Sequence, residues 1–397
     1  MTDQPTPQAA AAGVQTVVCD QCRHEVPALE YCVRCGDPLA AEKQRAQIGR
    51  RGQFAANPGE RALAVHLVST LFPQLPRADM DTFRAALLIG IAVVVGLCIF
   101  GLYPLALVAA ELIVPMVMVL YVWDVDVYED EPFHVLALTA GWGIFAGVVI
   151  GLAVRYLLPS DAGSVFGEDA ATIVTRGVVL PLVGGLLMLI GPLILLPYRK
   201  FNDVLDGATF GAVSALAYTA ALGLVGAIDL FSGGLRPTGE VMPWITRLLA
   251  LGVATPIIAA SVIGATAGAF WLRYRGPAGD RGRLGLLGKP AVAVVVGAII
   301  LVVASVGQLL LTFLPALIWL GFLAVLTLLW LRAVIHIGLL QEAAEIPIGP
   351  PVVCANCGRL TPAHCFCGYC GTSLRAQPKH RGTAAPQPTG SSTGSRP

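Results

Sequence analysis

The sequence predicts an all-α polytopic membrane protein, with about eight transmembrane helices and a small cysteine-rich module near each end. Composition predicts the helices: 56% of the 397 residues are hydrophobic and only 13% are charged, whereas soluble domains carry about 25% charged residues. A repeated pattern of cysteine pairs predicts the modules. The net charge of +1 gives no overall attraction to nucleic acid or to an anionic surface.

Each module is one copy of an internal repeat. The segments Val17 to Leu39 and Val352 to Leu374 align without gaps, and each contains the pattern C-x2-C-x9-C-x2-C. Two tight turns of this kind present four thiolates to one tetrahedral Zn2+ at about 2.3 Å. A pair of disulfides is the alternative, which a reducing cytosol disfavours. We therefore expect two zinc ribbons, each with one structural Zn2+ as its cofactor, held by Cys19, Cys22, Cys32 and Cys35 and by Cys354, Cys357, Cys367 and Cys370.

The remaining candidate ligands are interpreted as bystanders. His24, His364 and Cys365 lie inside the modules, but each module already has four thiolates without them. Cys98 stands alone in an apolar run, where a cysteine behaves as a small buried hydrophobe.

The chain between Arg84 and Arg332 contains the predicted membrane spans. Crossing a bilayer takes about 20 apolar residues, and this region divides into eight such pieces. Two pairs of spans meet in very short connections, near Gly101 and near Thr312, and each pair is predicted to form a tight helical hairpin. The predicted spans are 85–103, 105–122, 133–157, 172–196, 207–230, 245–271, 291–310 and 313–331.

The charge pattern predicts the orientation. Cytoplasmic loops retain Lys and Arg close to the spans, and an N-terminus inside the cell gives the cytosolic loops most of these residues. An even number of spans returns the C-terminus to the cytosol. We therefore expect a multi-pass protein of the plasma (inner) membrane, with both termini and both zinc ribbons in the cytosol.

The predicted domain order follows from these assignments. The segment before the first span is predicted to be either an interfacial helix or a soluble helix packed on the zinc module. The domains are a disordered leader over 1–16, an N-terminal zinc ribbon over 17–40, a cytosolic linker or interfacial helix over 41–84, a membrane domain over 85–331, a linker over 332–351, a C-terminal zinc ribbon over 352–374 and a disordered tail over 375–397.

Two segments of the membrane domain carry a family resemblance. VPMVMVLYVWDVDVYEDEPFHVLALTAGWGIFAG crosses an acidic loop, and PLVGGLLMLIGPLILLPYRKFNDVLDGATFGAVSALAYTAA contains a basic connector followed by Asp206, Gly207 and Gly211. In this order, from about Leu105 to Trp271, they resemble the PrsW-type intramembrane metalloproteases, whose second span leads into an Asp-x-Tyr-Glu-x-Glu-Pro loop. The acidic loop itself is interpreted as solvated, with a metal site as the alternative.

The catalytic motifs that this resemblance implies are missing. The family's adjacent glutamates and lysine on the fourth span, its Glu-Asn on the fifth and its histidine on the sixth are all replaced by apolar or small residues. From Val135 to Val334 the chain has no His or Cys, and its only glutamates are Glu168 and Glu240. Metal-assisted hydrolysis needs such ligands in one cavity. The replacing residues are Gly184, Gly185, Met188, Leu222 with Gly223, and Pro256.

The sequence therefore predicts a protease-like membrane scaffold without catalytic residues. It is expected to bind membrane partners such as helices, peptides or lipid, and to engage a cytosolic protein through the zinc ribbons. The acidic balance of the first ribbon argues against nucleic acid. Ionisable residues inside spans are candidates for function, so two alternatives stay open. One is an active protease with displaced residues such as Glu111, Asp206 or the acidic loop, and the other is a transporter or channel that uses Glu111.

Overall fold

The structure, a computed structural model, describes six stretches of the chain. The predicted leader up to 14, the predicted linker or interfacial helix up to 79, the acidic loop at 127–132 and the predicted tail from 375 lie outside them. The described residues are 15–39, 80–126, 133–157, 170–276, 281–345 and 347–374, except for 21, 199, 202, 234, 236–240, 283, 355–356 and 372–373.

Eight long helices make up the central part of the described chain. Two of them, the fourth and the sixth, contain a short π-helical stretch. Their bounds are α1 Met80–Ile99, α2 Tyr103–Asp126, α3 Phe133–Leu157, α4 Ala170–Leu195, α5 Val204–Ala227, α6 Val241–Tyr274, α7 Pro290–Leu310 and α8 Phe313–Glu345.

Six of these helices, α3 to α8, are long and apolar enough to cross a membrane. The apolar parts of α1 and α2 are shorter, Ala85–Ile99 and Tyr103–Val117. Within the predicted linker 332–351, α8 continues to Glu345 and a strand begins at Gly349. Residues after Arg332 include Leu, Ala, Gln and Glu, which are good helix formers, so leaving the apolar span does not end the helix.

The two predicted hairpins each consist of two separate helices. Between α1 and α2, Gly101 adopts a left-handed conformation with φ +72°, and the Leu102 N–H donates to the Leu97 carbonyl at 2.9 Å. This pattern closes the end of a helix. Only Leu311 and Thr312 separate α7 from α8.

Each π-helical stretch lies just before a proline. The stretch Ile173–Val179 precedes Pro181, and Ala250–Ala254 precedes Pro256. Proline cannot donate a backbone hydrogen bond and clashes with the preceding turn of a regular α-helix. A wider local turn accommodates it, and α4 and α6 continue beyond it to Leu195 and Tyr274.

Small residues hold α5 and α6 together at the centre of the bundle. A side chain at Gly207 would lie 2.6 Å from the Trp271 ring, and one at Gly211 would lie 2.7 Å from the Ile263 carbonyl. Such close approach requires glycine, as expected for helix packing by small residues. The Trp271 indole also donates to the Phe201 carbonyl at 3.2 Å.

The largest apolar cluster defines one end of the bundle. Its residues come from the start of α3, α5 and α7 and from the later parts of α2, α4, α6 and α8. Because α8 leads directly into the C-terminal module, this end is the one that faces the cysteine-rich modules. The cluster includes Val117, Val135, Leu195, Val204, Trp271, Ala293 and Ile337.

Each module contains one two-stranded antiparallel sheet. In the N-terminal module β1, Thr16–Val18, pairs with β2, Glu25–Pro27. In the C-terminal module β3, Gly349–Val353, pairs with β4, Leu360–Ala363. The turn between the strands carries the first C-x-x-C pair of each module.

Candidate functional site

The four cysteines of the N-terminal module converge on one point. Their sulfur atoms all lie within 4.8 Å of one another, with Cys19 Sγ 3.6 Å from Cys35 Sγ and Cys22 Sγ 3.7 Å from Cys32 Sγ. Four sulfurs that each lie about 2.3 Å from a central Zn2+ are about 3.8 Å apart. A disulfide requires about 2.05 Å, and all four cysteines are free. The arrangement fits a tetrahedral metal site.

The C-terminal module repeats this geometry. Cys354 Sγ lies 3.7 Å from Cys370 Sγ, and Cys357 Sγ lies 3.8 Å from Cys367 Sγ. These are the pairs that the sequence alignment makes equivalent to Cys19 with Cys35 and Cys22 with Cys32. The residues that the repeat predicts as ligands are therefore brought together in both modules, and each set can hold one metal ion such as zinc.

The same backbone turn closes every cysteine pair. One residue after each second cysteine has a positive φ, and its N–H donates to the carbonyl of the first cysteine of the pair. This turn places both thiols of a pair on the same side of the backbone, as a metal-binding turn requires. The four donors are Arg23 to Cys19 at 2.8 Å, Gly36 to Cys32 at 2.9 Å, Gly358 to Cys354 at 2.8 Å and Gly371 to Cys367 at 2.8 Å.

The metal-free thiols of the N-terminal module hydrogen-bond to one another, which lowers the pKa of Cys19 and Cys22 and raises the pKa of Cys32 and Cys35, so that only some of them can ionise at once. Burial raises the pKa of the Cys367 thiol to about 12, and the neighbouring Cys19 raises the pKa of Cys35 far above its ordinary value. Several thiolates cannot share so small a volume unless a cation neutralises them. A bound metal ion such as Zn2+ would supply that charge and keep the thiols deprotonated.

The two modules pair with each other through their backbones. The Tyr31 N–H donates to the Gly368 carbonyl at 2.8 Å, and the Phe366 N–H donates to the Val33 carbonyl at 2.9 Å. In the repeat, Tyr31 is equivalent to Phe366 and Val33 is equivalent to Gly368. The two bonds are therefore the same interaction made in both directions, which is the pattern of an isologous twofold interface.

Side chains repeat this reciprocity. The Leu29 side chain packs at Gly368, and the equivalent residue of the other module, His364, places Nδ1 3.1 Å from the Val33 carbonyl. At the edge of the interface, Arg359 Nη1 lies 3.6 Å from Glu30 Oε1. His364, predicted to be a bystander, is indeed outside the sulfur cluster but belongs to the interface. Nothing in the sequence besides the repeat itself signals this pairing.

Two valines of each module face outward. Val18 is 62% exposed and its equivalent Val353 is 64% exposed, while Val17 and Val352 are both 38% exposed. They lie on β1 and β3, the first strands of the modules, and not in the stretches that pair the modules. Each copy of the repeat therefore presents the same apolar pair, which we call the valine patches.

The positions that replace the protease motifs come together, but as an apolar cluster. Met188 and Tyr218 pack with Ala259 and Ile263 of α6, with Leu222 beside them. A side chain at Gly184 would lie 2.6 Å from the Tyr218 hydroxyl, and one at Gly185 would lie 3.0 Å from Leu301. Tyr218 and Leu301 thus lie against the faces of α4 on which the family resemblance places two carboxylates.

The backbone of α4 near this cluster is satisfied by hydrogen bonds from neighbouring helices. Pro192 has no N–H to donate to the Met188 carbonyl four residues earlier, and the Ser214 hydroxyl donates to that carbonyl at 2.8 Å. The Trp142 indole donates to the adjacent Leu187 carbonyl at 2.8 Å. Ser214 therefore has a structural role here.

The two other candidate residues, Asp206 and Glu111, lie in different environments. Asp206 lies in the first turn of α5, where its carboxylate accepts the Asp203 N–H at 3.2 Å and completes a capping box. This role stabilises a helix start. Glu111 lies inside the bundle, only 3% exposed, against Gly223 of α5.

Comparisons with protein family models, with curated proteins and with solved structures find no match for this chain.

Proposed function

We propose that this protein is a non-catalytic membrane scaffold whose two zinc ribbons form one composite cytosolic head that binds a soluble protein. The observation that carries the proposal is the reciprocal pairing of the modules, through Tyr31 with Gly368 and Phe366 with Val33. The pairing unites segments from opposite ends of the chain and leaves both valine patches exposed.

The size of the modules supports a binding role. Segments this short bury little apolar surface, so a bound metal supplies most of their folding free energy. The core of the N-terminal module consists of its four cysteines with Val26, Val33 and two partly buried leucines, and the apolar cluster of the C-terminal module is Cys365 with Phe366. Exposed valines are therefore not required by the fold, and an apolar pair repeated at equivalent positions is typical of a contact surface.

The apolar cluster around Tyr218 supports the part of the proposal that the membrane domain has no catalytic activity. Met188, Tyr218, Ala259 and Ile263 bring no carboxylate, imidazole or thiolate to the place where the protease resemblance puts its metal. Catalysis by a metal needs several such ligands and a water between them. The bundle then serves as an anchor and as a surface for membrane partners such as helices, peptides or lipid.

The binding role is tested with the valine patches. We expect a cytosolic protein to be cross-linked to the full-length protein in native membranes and to be lost when Val18 and Val353 are both changed to Lys. The control is Leu286→Lys, which alters a residue that is 67% exposed in the α6–α7 connection. Capture of the same proteins by all three forms would refute the composite head.

The lack of catalysis is tested by reconstitution with single-span candidate substrates. We expect substrates that co-purify with the protein to remain uncut, with or without added Zn2+. Metal-dependent cleavage would overturn the scaffold, and its loss in Glu111→Gln would assign the activity to that residue. The cross-linking result does not depend on this outcome.

The proposed topology is eight spans in the plasma (inner) membrane, with both termini in the cytosol. It is supported by the Lys and Arg residues that flank alternate spans and by the eight helices of the described chain. Reporter fusions after Arg84, Lys200, Lys289 and Pro397 are all expected to read cytosolic. An external reading at Pro397 would mean that one hairpin does not cross the membrane twice.

A further inference from the structure

We propose that Glu111 is a proton-binding site, a carboxylic acid that is held uncharged inside the helix bundle and exchanges its proton with the side of the membrane opposite the zinc ribbons. This site is independent of the proposed scaffold function. It is built where α2 crosses α5 and α6.

The carboxyl group of Glu111 has no ionic or hydrogen-bonding partner in the described chain. Its side chain is 3% exposed, and Oε2 is buried without a hydrogen bond. A carboxylate in such a place is strongly unfavourable unless a cation accompanies it. The carboxyl group therefore either carries a proton or binds a cation.

The surrounding helices leave room for the carboxyl group. A side chain at Gly223 of α5 would lie 2.5 to 2.6 Å from the carboxyl carbon and both oxygens, so only glycine fits there. On the α6 side, a side chain at Gly252 would lie 2.6 Å from Ala110 Cβ and 3.6 Å from the Glu111 N atom. Two glycines on two different helices thus border one acidic residue.

The backbone is irregular on both helices that meet at this point. Pro115 cannot donate to the Glu111 carbonyl four residues earlier, and Pro256 cannot donate to the Gly252 carbonyl. Gly252 also lies within the π-helical stretch Ala250–Ala254. Such stretches are often found at functional sites, and here the stretch faces the backbone of Glu111.

The site lies in the half of the bundle that is remote from the zinc ribbons. The neighbouring cluster contains Ala106, Leu107 and Ala110 of α2 with Leu248 of α6. Near the start of the same two helices, the rings of Tyr103 and Trp244 stack 6.0 Å apart. Tyr103 follows the α1–α2 turn, and Trp244 lies in the first turn of α6. Both lie at the end of the bundle opposite the largest apolar cluster, which is at the end where α8 continues into the C-terminal module.

Few ionisable groups face Glu111 from the helices packed against it. On α1 the nearby cluster includes Cys98, and α5 carries Tyr218 one turn before Gly223. On α6 the nearest charged residue in sequence is Arg247, which is exposed, and the short helix Ile228–Gly233 carries Asp229. None of the described groups forms an ion pair with Glu111, so a negative charge on its carboxyl group would have no compensating partner.

A proton explains this environment better than a metal ion does. The described groups of three or more His, Cys, Asp or Glu side chains that could hold a metal are the two cysteine clusters, and Glu111 belongs to neither. Divalent ions take several charged or carbonyl oxygens, whereas a proton needs one carboxyl group and a route to water.

The experiment is labelling with dicyclohexylcarbodiimide, an apolar reagent that modifies protonated carboxyl groups in apolar surroundings. Wild-type protein in lipid vesicles is treated over a range of pH values, digested and analysed by mass spectrometry. We expect an adduct on Glu111 that declines as the pH rises. Asp206 is an internal control, because it is also buried but accepts a hydrogen bond at a helix start, and we expect no adduct there.

Two glycine variants test the geometry without removing the acid. Gly223→Ala places a methyl group against the carboxyl group and is expected to abolish the adduct, whereas Gly226→Ala on the same helix has no neighbour within 4 Å and should label as wild type does. An infrared band of a neutral carboxylic acid, lost in Glu111→Gln, is expected as an independent readout.

The possible outcomes separate the interpretations. An adduct and a neutral-acid band that both depend on Glu111 support the proton site. Absence of the band at neutral pH would show an ionised carboxylate and overturn it. Protection of Glu111 from labelling by sodium, but not by choline at equal ionic strength, would also overturn it, because the ligand would then be a metal cation.

Discussion

The N-terminal and C-terminal zinc ribbons share a sequence pattern, a hydrogen-bonding pattern and sulfur distances, yet they are attached to the bundle differently. Only residues 346–348 lie between the end of α8 and the first strand of the C-terminal ribbon. Residues 40–79 separate the N-terminal ribbon from α1. The short covalent connection keeps the C-terminal ribbon next to the end of α8, whereas the N-terminal ribbon contacts the C-terminal ribbon through the interface. The two copies of one fold have become an anchor and a docked unit.

A second difference concerns one turn residue. Arg23 has φ +58° in the N-terminal ribbon, where the equivalent residue of the C-terminal ribbon is Gly358 with φ +70°. A left-handed conformation is unfavourable for residues with a side chain and costs glycine nothing. The docked ribbon therefore carries local strain that the anchor ribbon lacks.

The largest expected effect comes from removing one metal ligand. Cys354→Ser should reduce the bound zinc from two ions to one, unfold the anchor ribbon and release the N-terminal ribbon with its own zinc retained. Bound Zn2+ supplies about 10 to 16 kcal/mol in small zinc domains. Elemental analysis measures the stoichiometry, and hydrogen exchange at Tyr31 measures the release.

Cys19→Ser is the matched variant for this experiment. It should also leave one zinc, but the C-terminal ribbon should keep its fold because its own four cysteines still bind a metal ion. Zinc content near zero in the wild-type protein under reducing, chelator-free conditions would contradict the metal assignment for both ribbons.

A smaller effect is expected from Gly368→Ala, because the new methyl group would collide with the Leu29 side chain. The two intermodule backbone bonds should be lost, at about 1 kcal/mol each. Hydrogen exchange should accelerate at the amides of Tyr31 and Phe366 while both zinc ions stay bound.

The double variant Gly368→Ala with Leu29→Ala provides the control. It removes the collision and should restore part of the protection at Tyr31. Unchanged exchange in the single variant would mean that the modules do not pair in this way.

Exchanging the turn residues should shift stability by about 1 kcal/mol in opposite directions. Arg23→Gly should stabilise the N-terminal ribbon, and Gly358→Ala should destabilise the C-terminal ribbon. Competition with a chelator reports the zinc affinity of each ribbon. Equal and negligible effects would show that the positive φ at Arg23 is not strained.

The smallest effect is expected from the ion pair at the edge of the interface. Arg359 and Glu30 are well exposed, at 61% and 43%, and such pairs contribute about 0 to 1 kcal/mol. Arg359→Ala should weaken docking more than Glu30→Gln, because Arg359 also lies 5.4 Å from the Tyr369 ring centre. Amide exchange at Tyr31 in low and high salt measures both variants, and a coupling above about 1 kcal/mol would contradict this assignment.

The sequence predicts those features that depend on local pattern. The cysteine spacing identifies the eight cysteines that cluster in two groups of four, because a tetrahedral site allows few arrangements. Gly101 marks the first hairpin because the turn has a positive φ. The family resemblance remains a hypothesis, since no comparison supports it. The acidic loop and the segment before α1 lie outside the described residues.

Features that depend on contacts between distant residues could not be predicted. In the sequence, His364 could be a spare metal ligand. Only the folded structure shows that its Nδ1 atom lies near the Val33 carbonyl. The glycines that border Glu111 lie more than a hundred residues away from it in sequence, and Gly223 by itself is one of 44 glycines. The end of α8 could not be predicted either, because hydropathy marks where a span leaves the membrane but not where a helix stops.

The pairing of the ribbons also orders events during synthesis. Residues 15–39 leave the ribosome before any of the eight helices, and residues 347–374 follow only after all of them. The N-terminal ribbon can bind zinc early, but its docking site does not exist until the last helix has been made. The paired ribbons thus form only on a chain whose eight described helices have all been translated, and a chain that stops within the bundle presents half of the proposed binding surface.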